Sequence, residues 1–541
     1  MGTERRGSGG LIDQYSSSRV SSRTTCGTFF ILRTTVPDEL NLFQYFLGQR
    51  IDEGRGDRRA LLTDEGALTY REVAALSARY ANLLHDAGVR PEERVMIALP
   101  DGADYVGALF GIVRLGAVVV MVNPHLKTDQ IRSFYDYTRA RVALVGVEVL
   151  PEFTAGLENA HHRPQLIGIG SEGHGERLAA LPDEYPVFPS HKDDAAIWLF
   201  SGGTTGQAKA VVQSHASFVN TTELYGQGLL EMGPDDVTLS VPKLFFGYAT
   251  GSNLFFPFSV GATSALFPER CTPETLFAKI ASFRPTILVN VPTMVNHLVS
   301  HPDVYEQDLS CIRLATSAGE ALPAELHRRW NDLCGAPLLD GLGTAEMWHI
   351  FVSNRPDDVR PGTLGKAVPG FDLKACHEDG SEVAPNEIGY LWVRGDSLAK
   401  GYWQREEKTR QAFRGEWYVS GDMISIDADG YVTYCGRGDD MLKVGGKWLS
   451  PAELEDCLLE HDAVDAVAVV GVATEHGLIK PRAFVIAAHG IVLDDDLAAE
   501  LQEWARHRLE PYKYPRDVIF VDDLPRTHLG KVDRGALARR T

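Results

Sequence analysis

Residues 195–209 read Ala195-Ala196-Ile197-Trp198-Leu199-Phe200-Ser201-Gly202-Gly203-Thr204-Thr205-Gly206-Gln207-Ala208-Lys209. An apolar run that stops at a Ser/Gly/Thr cluster reads as a short buried strand feeding a tight loop. Glycines let the loop turn so that several backbone N–H groups face one anion, and the hydroxyls of Ser201, Thr204 and Thr205 add donors. Lys209 supplies the positive charge that a polyphosphate needs. The segment is not the P-loop of nucleoside triphosphatases, because two residues separate Gly206 from Lys209 where that motif has Gly-Lys-Ser/Thr in sequence. A plain flexible loop is the alternative. So biased a run at a strand end favours an anion site.

Outward from this strand, apolar runs and amphipathic stretches alternate. Toward the N-terminus the pattern predicts a helix at Tyr70–Ala87, a strand at Arg94–Leu99, a buried helix at Ala103–Leu115, a strand at Ala117–Val122, a helix near Thr128–Tyr137 and a strand at Val142–Val145. Toward the C-terminus it continues through strands at Thr286–Val291 and Ile312–Thr316. This alternation predicts an α/β fold with parallel sheets covered on both faces. After about Pro361, Gly/Pro punctuation thickens and short strands dominate. From Pro451 a helix–strand–strand–helix–strand order marks a compact α+β unit of about one hundred residues, an ordinary small-domain size. The expected organisation is a large multi-subdomain N-terminal domain over 37–438 and a small C-terminal domain over 439–541, with the boundary near Arg437–Asp440. Residues 1–36 are rich in Ser, Thr and Arg and aperiodic. They read as a disordered or non-native tail rather than a transit peptide.

Composition narrows the function. The 541 residues carry a formal net charge of −20, which argues against nucleic-acid binding, since phosphate backbones recruit clustered Lys and Arg. The last 36 residues nonetheless hold nine basic and five acidic side chains. Seven cysteines, none in a C-x-x-C pair, exclude a disulfide scaffold and a zinc ribbon and favour a reducing, cytoplasmic setting. The most apolar stretch, Tyr105–Val122, is interrupted by Arg114 and three glycines, so no membrane span is expected.

Further segments carry chemistry. In Asp340-Gly341-Leu342-Gly343-Thr344-Ala345-Glu346 a carboxylate follows a Thr hydroxyl at the spacing that suits Mg²⁺ held between protein and phosphate. Gly415-Glu416-Trp417-Tyr418-Val419-Ser420-Gly421-Asp422 sets Asp422 after a tight turn. Gly436-Arg437-Gly438-Asp439-Asp440-Met441-Leu442-Lys443 lies at the expected boundary, and Pro525-Arg526-Thr527-His528-Leu529-Gly530-Lys531 nearly closes the chain.

In this order and spacing, these five segments resemble the adenylate-forming superfamily of acyl-CoA synthetases, adenylation domains and luciferases, over about residues 41–541. One departure is Ala208, where the family usually has Pro. The resemblance implies a carboxylate attacking the α-phosphorus of Mg·ATP to give an acyl adenylate and pyrophosphate, after which a thiol displaces AMP. It implies that Ser201 to Lys209 (Gly202, Gly203, Thr204, Thr205 and Gly206 included) hold the β,γ-phosphates, and that Thr344 and Glu346 handle the α-phosphate and Mg²⁺. Ser317, Ala318, Gly319 and Glu320 would lie against adenine, with Asp340, Gly341, Leu342 and Gly343 nearby. Asp422, helped by Arg437, would bind the ribose hydroxyls. Lys531 would bridge carboxylate and α-phosphate, Asp439 would be the pivot of the small domain, and Gly445 and Gly446 would line the pantetheine tunnel.

The acid is suggested by Pro242-Lys243-Leu244-Phe245-Phe246-Gly247-Tyr248-Ala249 and by Glu346-Met347-Trp348-His349-Ile350-Phe351. The second closely resembles the benzoate–CoA ligase branch, in which positions matching Gly247, Tyr248, Ala249, Trp348, His349 and Ile350 surround the aryl ring. A pocket walled by Phe246, Tyr248 and Trp348 would be flat, short and aromatic. The expected activity is conversion of benzoate, or a small hydroxy- or aminobenzoate, to its CoA thioester by a monomer or homodimer. The alternatives are an adenylating enzyme that loads a carrier-protein thiol or an amine, and a luciferase-like oxygenase or non-catalytic homologue, although all the catalytic segments are intact.

Overall fold

The computed structural model describes residues 36–201, 208–438, 441–444, 447–473, 479–488, 490–526 and 532–540. Two large mixed sheets form the body. In the first, the strands Arg59–Thr63, Thr263–Ala265, Val237–Ser240, Ile287–Asn290, Leu314–Ala318 and Leu338–Gly343 run parallel side by side. In the second, Gln165–Ile169, Val142–Gly146, Arg94–Ala98, Val118–Met121 and Ala195–Ser201 do the same. These strands are apolar runs rather than alternating ones because helices cover both faces. Antiparallel strands close the edges, and one of them, Lys209–Ser214, returns directly beside Ala195–Ser201 with Ser201 opposite Lys209. Ser201 and Lys209, at the two ends of the anion segment, are therefore cross-strand neighbours.

Local chemistry fixes the boundaries. The helix Tyr70–Asp86 starts at Thr69, whose hydroxyl accepts from the Glu72 N–H while the Glu72 carboxylate accepts from the Thr69 N–H, a reciprocal cap that satisfies two end donors. It packs on the buried helix Ala103–Arg114. There a Cβ at Gly107 would sit 2.6 Å from Leu76 and one at Gly111 would sit 2.8 Å from the Ser77 carbonyl, so glycine is what permits the close approach. Arg114 ends this helix with its guanidinium on the Tyr185 and Ala74 carbonyls, which explains how the apolar stretch tolerates a charge. Among the described residues no helix is long and apolar enough to cross a membrane.

A third sheet is antiparallel: Asp372–Cys376, Ile388–Arg394 and Trp417–Ile426 in order, with Phe413–Arg414 and Val432–Arg437 also pairing with Trp417–Ile426. The stretch from Pro451 onward holds the helices Pro451–Leu459, Asp495–Arg508 and Arg534–Ala538 on the strands Val464–Ala473, Ile479–Ala487 and Asp517–Phe520. It has its own apolar cluster around Leu449, Leu454, Leu458, Val469 and Leu501. The expected α/β architecture with a smaller C-terminal α+β part is thus present.

Candidate active site

The segment Asp340–Gly343 is not a loop but the end of the strand Leu338–Gly343, and the chain doubles back antiparallel as Ile350–Ser353. The turn between them is one 3₁₀ turn, Ala345–Met347, which Thr344 caps by accepting the Met347 N–H at 3.3 Å. A Cβ on Gly343 would lie 2.4 Å from the His349 carbonyl, so the hairpin closes only with glycine there. Trp348 leaves the turn at φ 63°, ψ −47°. A non-glycine residue held there marks stored strain of about 1–3 kcal/mol, kept where the surroundings over-determine it.

This one turn serves two sides. On one side lies the Glu346 carboxylate, 3% exposed. Its Oε1 accepts from the Tyr402 hydroxyl at 2.7 Å and from Ser201 Oγ at 3.2 Å. Lys209 Nζ donates to the Tyr402 hydroxyl at 3.5 Å and lies 4.5 Å from the centre of its ring. Burial lowers the Lys209 pKa, Glu346 opposes that shift, and Lys408 and Arg437 reinforce it. Gln213 Nε2 donates to the Ala345 carbonyl at 2.7 Å and holds the turn in place. Oxygen donors around one carboxylate suit Mg²⁺. No cluster of three or more His, Cys, Asp or Glu forms a closed metal site among the described residues, so such an ion would complete its shell with nucleotide oxygens and water.

On the other side the side chains are aromatic. His349 is fully buried, its ring centre 4.7 Å from Phe256, 5.4 Å from Tyr248 and 5.5 Å from Trp348. Its Nε2 lies 3.0 Å from the Tyr248 carbonyl and 3.2 Å from Ser252 Oγ. A carbonyl only accepts, so Nε2 carries the proton and Nδ1 is a lone-pair acceptor. That Nδ1 is buried without a hydrogen-bond partner, and so is the Trp348 Nε1 donor. Burial drops the His349 pKa to about 3, which keeps the ring neutral. Trp348 is packed in the core against Phe218, Phe255 and Phe256. Tyr248 shares a hydrogen bond with Thr316 Oγ1 at 2.7 Å, Ala249 and Ile350 are buried, and Gly247 begins the helical turn Gly247–Thr250. Phe246, 37% exposed, pairs instead with Phe245. The backbone that feeds this segment is clamped at Leu244, whose N–H donates to buried Asp101 and whose carbonyl accepts from Tyr105.

A further set lies on the antiparallel sheet. Asp422 sits within the strand Trp417–Ile426, directly across from Arg437, with its Oδ1 3.4 Å from the guanidinium and 3.5 Å from the Tyr434 hydroxyl. Ser420 Oγ donates to the other oxygen at 2.5 Å. Ser317 and Asp340 are cross-strand partners, and both are buried. Burial raises the Asp340 pKa well above the ordinary carboxyl range. Ala318 ends its strand, Gly319 follows at φ +91°, and Glu320 accepts from the Thr293 N–H and hydroxyl at the start of the helix Pro292–Val299. Asp340, Leu322, Ile388 and Tyr434 face a cavity of about 290 Å³ that Ser450, Asp456 and Lys513 close from the C-terminal side.

Sequence reading singled out Ser201, Lys209, Glu346, Asp422 and Arg437, and the fold gathers them around Tyr402 and the third sheet. It missed Tyr402, Gln213, Ser252 and Asp101, none of which sits in a biased segment. Gly202, Gly203, Thr204, Thr205, Gly206, Asp439, Gly445, Gly446 and Lys531 lie outside the described residues.

Residues 49–403 match the family described as AMP-binding enzyme, and residues 453–531 match the AMP-binding enzyme C-terminal domain. The chain is 39% identical to a benzoate–CoA ligase of Thauera aromatica, over 92% of this chain and 96% of that one. It is 37% identical to a 4-hydroxybenzoate–CoA/benzoate–CoA ligase of Rhodopseudomonas palustris, over 92% and 93% of the respective chains. Among solved structures, the anthranilate CoA ligase AuaEII in complex with anthranoyl-AMP superposes with a TM-score of 0.89 at 37% identity, covering 93% of this chain and 97% of that one.

Proposed function

This chain belongs to the AMP-binding enzyme family, and from that premise we propose that it converts benzoate, or a small hydroxy- or aminobenzoate, to the aryl-CoA thioester at the expense of ATP. It stands in the benzoate–CoA ligase-like branch of the adenylate-forming enzymes. The observation that carries the choice of acid is the single hairpin turn that presents Glu346 on one side and the neutral His349 ring, among Tyr248, Phe256 and Trp348, on the other. A nucleotide phosphate bound near Glu346 and a ring bound near His349 would meet across that turn.

In the first step an aryl carboxylate oxygen attacks the α-phosphorus, the bond to the β-phosphate oxygen breaks, and pyrophosphate leaves. Ser201 through Lys209 hold the departing phosphates, Thr344 orients the α-phosphate, and Lys531 stabilises the charge that moves between carboxylate and phosphate. Glu346 would hold Mg²⁺, which would supply positive charge against the phosphates. Asp422 and Arg437 hold the ribose, while Ser317 and Asp340 lie against the base. In the second step the CoA thiol, having lost its proton, displaces AMP; Asp439 is the pivot between domains 37–438 and 439–541, and Gly445 and Gly446 leave room for the pantetheine arm. His349 Nδ1, a buried acceptor without a partner, receives a hydrogen bond from a hydroxyl or amino group on the ring and so favours substituted benzoates over saturated chains.

The test is a panel of benzoate, its hydroxy and amino derivatives and octanoate, read by pyrophosphate release and by mass of the CoA product. Aryl acids should lead and the thioester should accumulate. Octanoate outpacing every aryl acid would overturn the choice of acid. Pyrophosphate release with no thioester from free CoA would move the acceptor to a carrier-protein thiol or an amine.

A further inference from the structure

Beside the Glu346 site a groove of about 520 Å³ opens onto the surface, with Lys209, Lys408, Arg414 and Arg437 in its lining, His377 and Trp392 on its wall, and Glu378 as the one acidic lining residue among the described residues. Among the described residues, four cations against one carboxylate is a reversal on a chain of net charge −20. The cations come from four separate places: Lys408 from the helix Glu406–Ala412, Arg414 from the short strand Phe413–Arg414, Arg437 from the end of Val432–Arg437, and Lys209 from the start of Lys209–Ser214. Folding has brought them together. Their fields overlap, since Lys408 and Arg437 each lower the pKa of Lys209. Like charges held around a concavity raise the local concentration of a counter-anion.

The groove is also joined to the reaction centre. Tyr402 borders it and donates to Glu346 at 2.7 Å, and Arg437 borders it and pairs with Asp422 at 3.4 Å. Its far wall is amphipathic, with the Arg414 guanidinium 5.2 Å from the Trp392 ring. Lys408 and Arg414 belong to none of the segments assigned to ATP, and they extend the positive surface past Lys209.

We propose that this groove is a second phosphate subsite that takes a polyanion beside the reacting nucleotide, either inorganic pyrophosphate on its way out or the 3′-phosphorylated nucleotide end of CoA. Which two anions are considered rests on the ligase reading above; the existence of the subsite does not. Calorimetric titration of the full chain with inorganic pyrophosphate alone, and separately with adenosine 3′,5′-bisphosphate alone, needs no turnover and so separates the two claims. At least one of them should bind the wild type, and Lys408→Ala with Arg414→Ala should weaken it about tenfold or more, the scale of two charge-assisted contacts. Lys408→Arg should retain binding, and Lys374→Ala, on the same sheet but outside the groove, should leave it unchanged. Whichever anion responds names the source. The subsite is refuted if neither anion binds, or if the double variant binds within twofold of wild type while its circular dichroism matches wild type. Anion binding that responds to the double variant in a protein that forms no aryl-CoA would sink the ligase reading and leave the groove standing.

Discussion

Tyr402 and Glu346 share a 2.7 Å hydrogen bond across 56 positions of sequence. Burial, and then the neighbouring Glu346 carboxylate, raise the Tyr402 pKa, so the hydroxyl stays protonated and keeps its proton to donate. One Glu346 oxygen is thereby fixed in direction before any ligand arrives.

Tyr402→Phe keeps the ring beneath Lys209 and deletes only the donor. A hydrogen bond to a charged group contributes about 1.5–3 kcal/mol, so adenylation should slow by about ten- to a hundredfold. Pyrophosphate release measures this, with the thermal midpoint as a check on folding. Glu346→Gln should cost more and raise the Mg²⁺ concentration needed for half-maximal rate. An unchanged rate in Tyr402→Phe would separate this bond from catalysis.

Gly251 is the residue that makes room for His349. A Cβ there would fall 2.3 Å from His349 Cδ2 and 2.6 Å from Nε2, so Gly251→Ala must push the ring off the Tyr248 carbonyl. Overpacking of this kind costs about 1–3 kcal/mol. The KM for hydroxy- or aminobenzoate should rise about tenfold with the KM for ATP unaltered, in steady-state assays on the purified variant. Equal shifts in both would point to general unfolding instead.

Two buried histidines should be silent in a pH titration. Burial takes His349 to about 3 and His215 to about 4, both below the ordinary histidine value. Between those values and about pH 6.5 the unfolded chain binds protons that the native chain does not. Their contribution to stability is therefore present above pH 6.5 and is lost as pH falls toward 4 and then 3. Asp101, raised by burial to about 6, acts with the opposite sign over the upper part of that window. NMR of ring-labelled histidine should show two resonances that do not move from pH 8 to pH 5.

The half-reactions should be separable by substitution. Lys531→Ala should slow adenylation far more than it weakens ATP binding, while preformed aryl adenylate and CoA still give thioester. Asp439→Pro should spare adenylation and block thiol transfer. Single-turnover quench experiments on each half-reaction measure both. Equal loss of the two steps in Asp439→Pro would remove the pivot from that position.

Much of the candidate site was legible because glycines and hydroxyls in a short run stand out from core sequence. Ser201, Lys209, Glu346 and Asp422 each sit in one. Tyr402, Gln213, Ser252 and Gly251 do not, since their partners lie 56, 132, 97 and 98 positions away and single residues of ordinary type leave no local pattern. The aromatic side shows the same division. Trp348 and His349 were visible as rings, but Trp348 proved to be packed on Phe218, Phe255 and Phe256, while Phe246 pairs with Phe245.

The alternation of strands and helices, the smaller C-terminal part and the order of the chemical segments could all be read along the chain. All of these depend on periodicity and on residue types within a few positions of one another. Which nitrogen of His349 carries its proton came from folding, because the carbonyl that sets it belongs to Tyr248, 101 positions away. Folding also decided that Lys209, Lys408, Arg414 and Arg437 line one basic groove on an acidic chain. Charge adds along the sequence, but electrostatic potential depends on distance in space, and folding sets those distances.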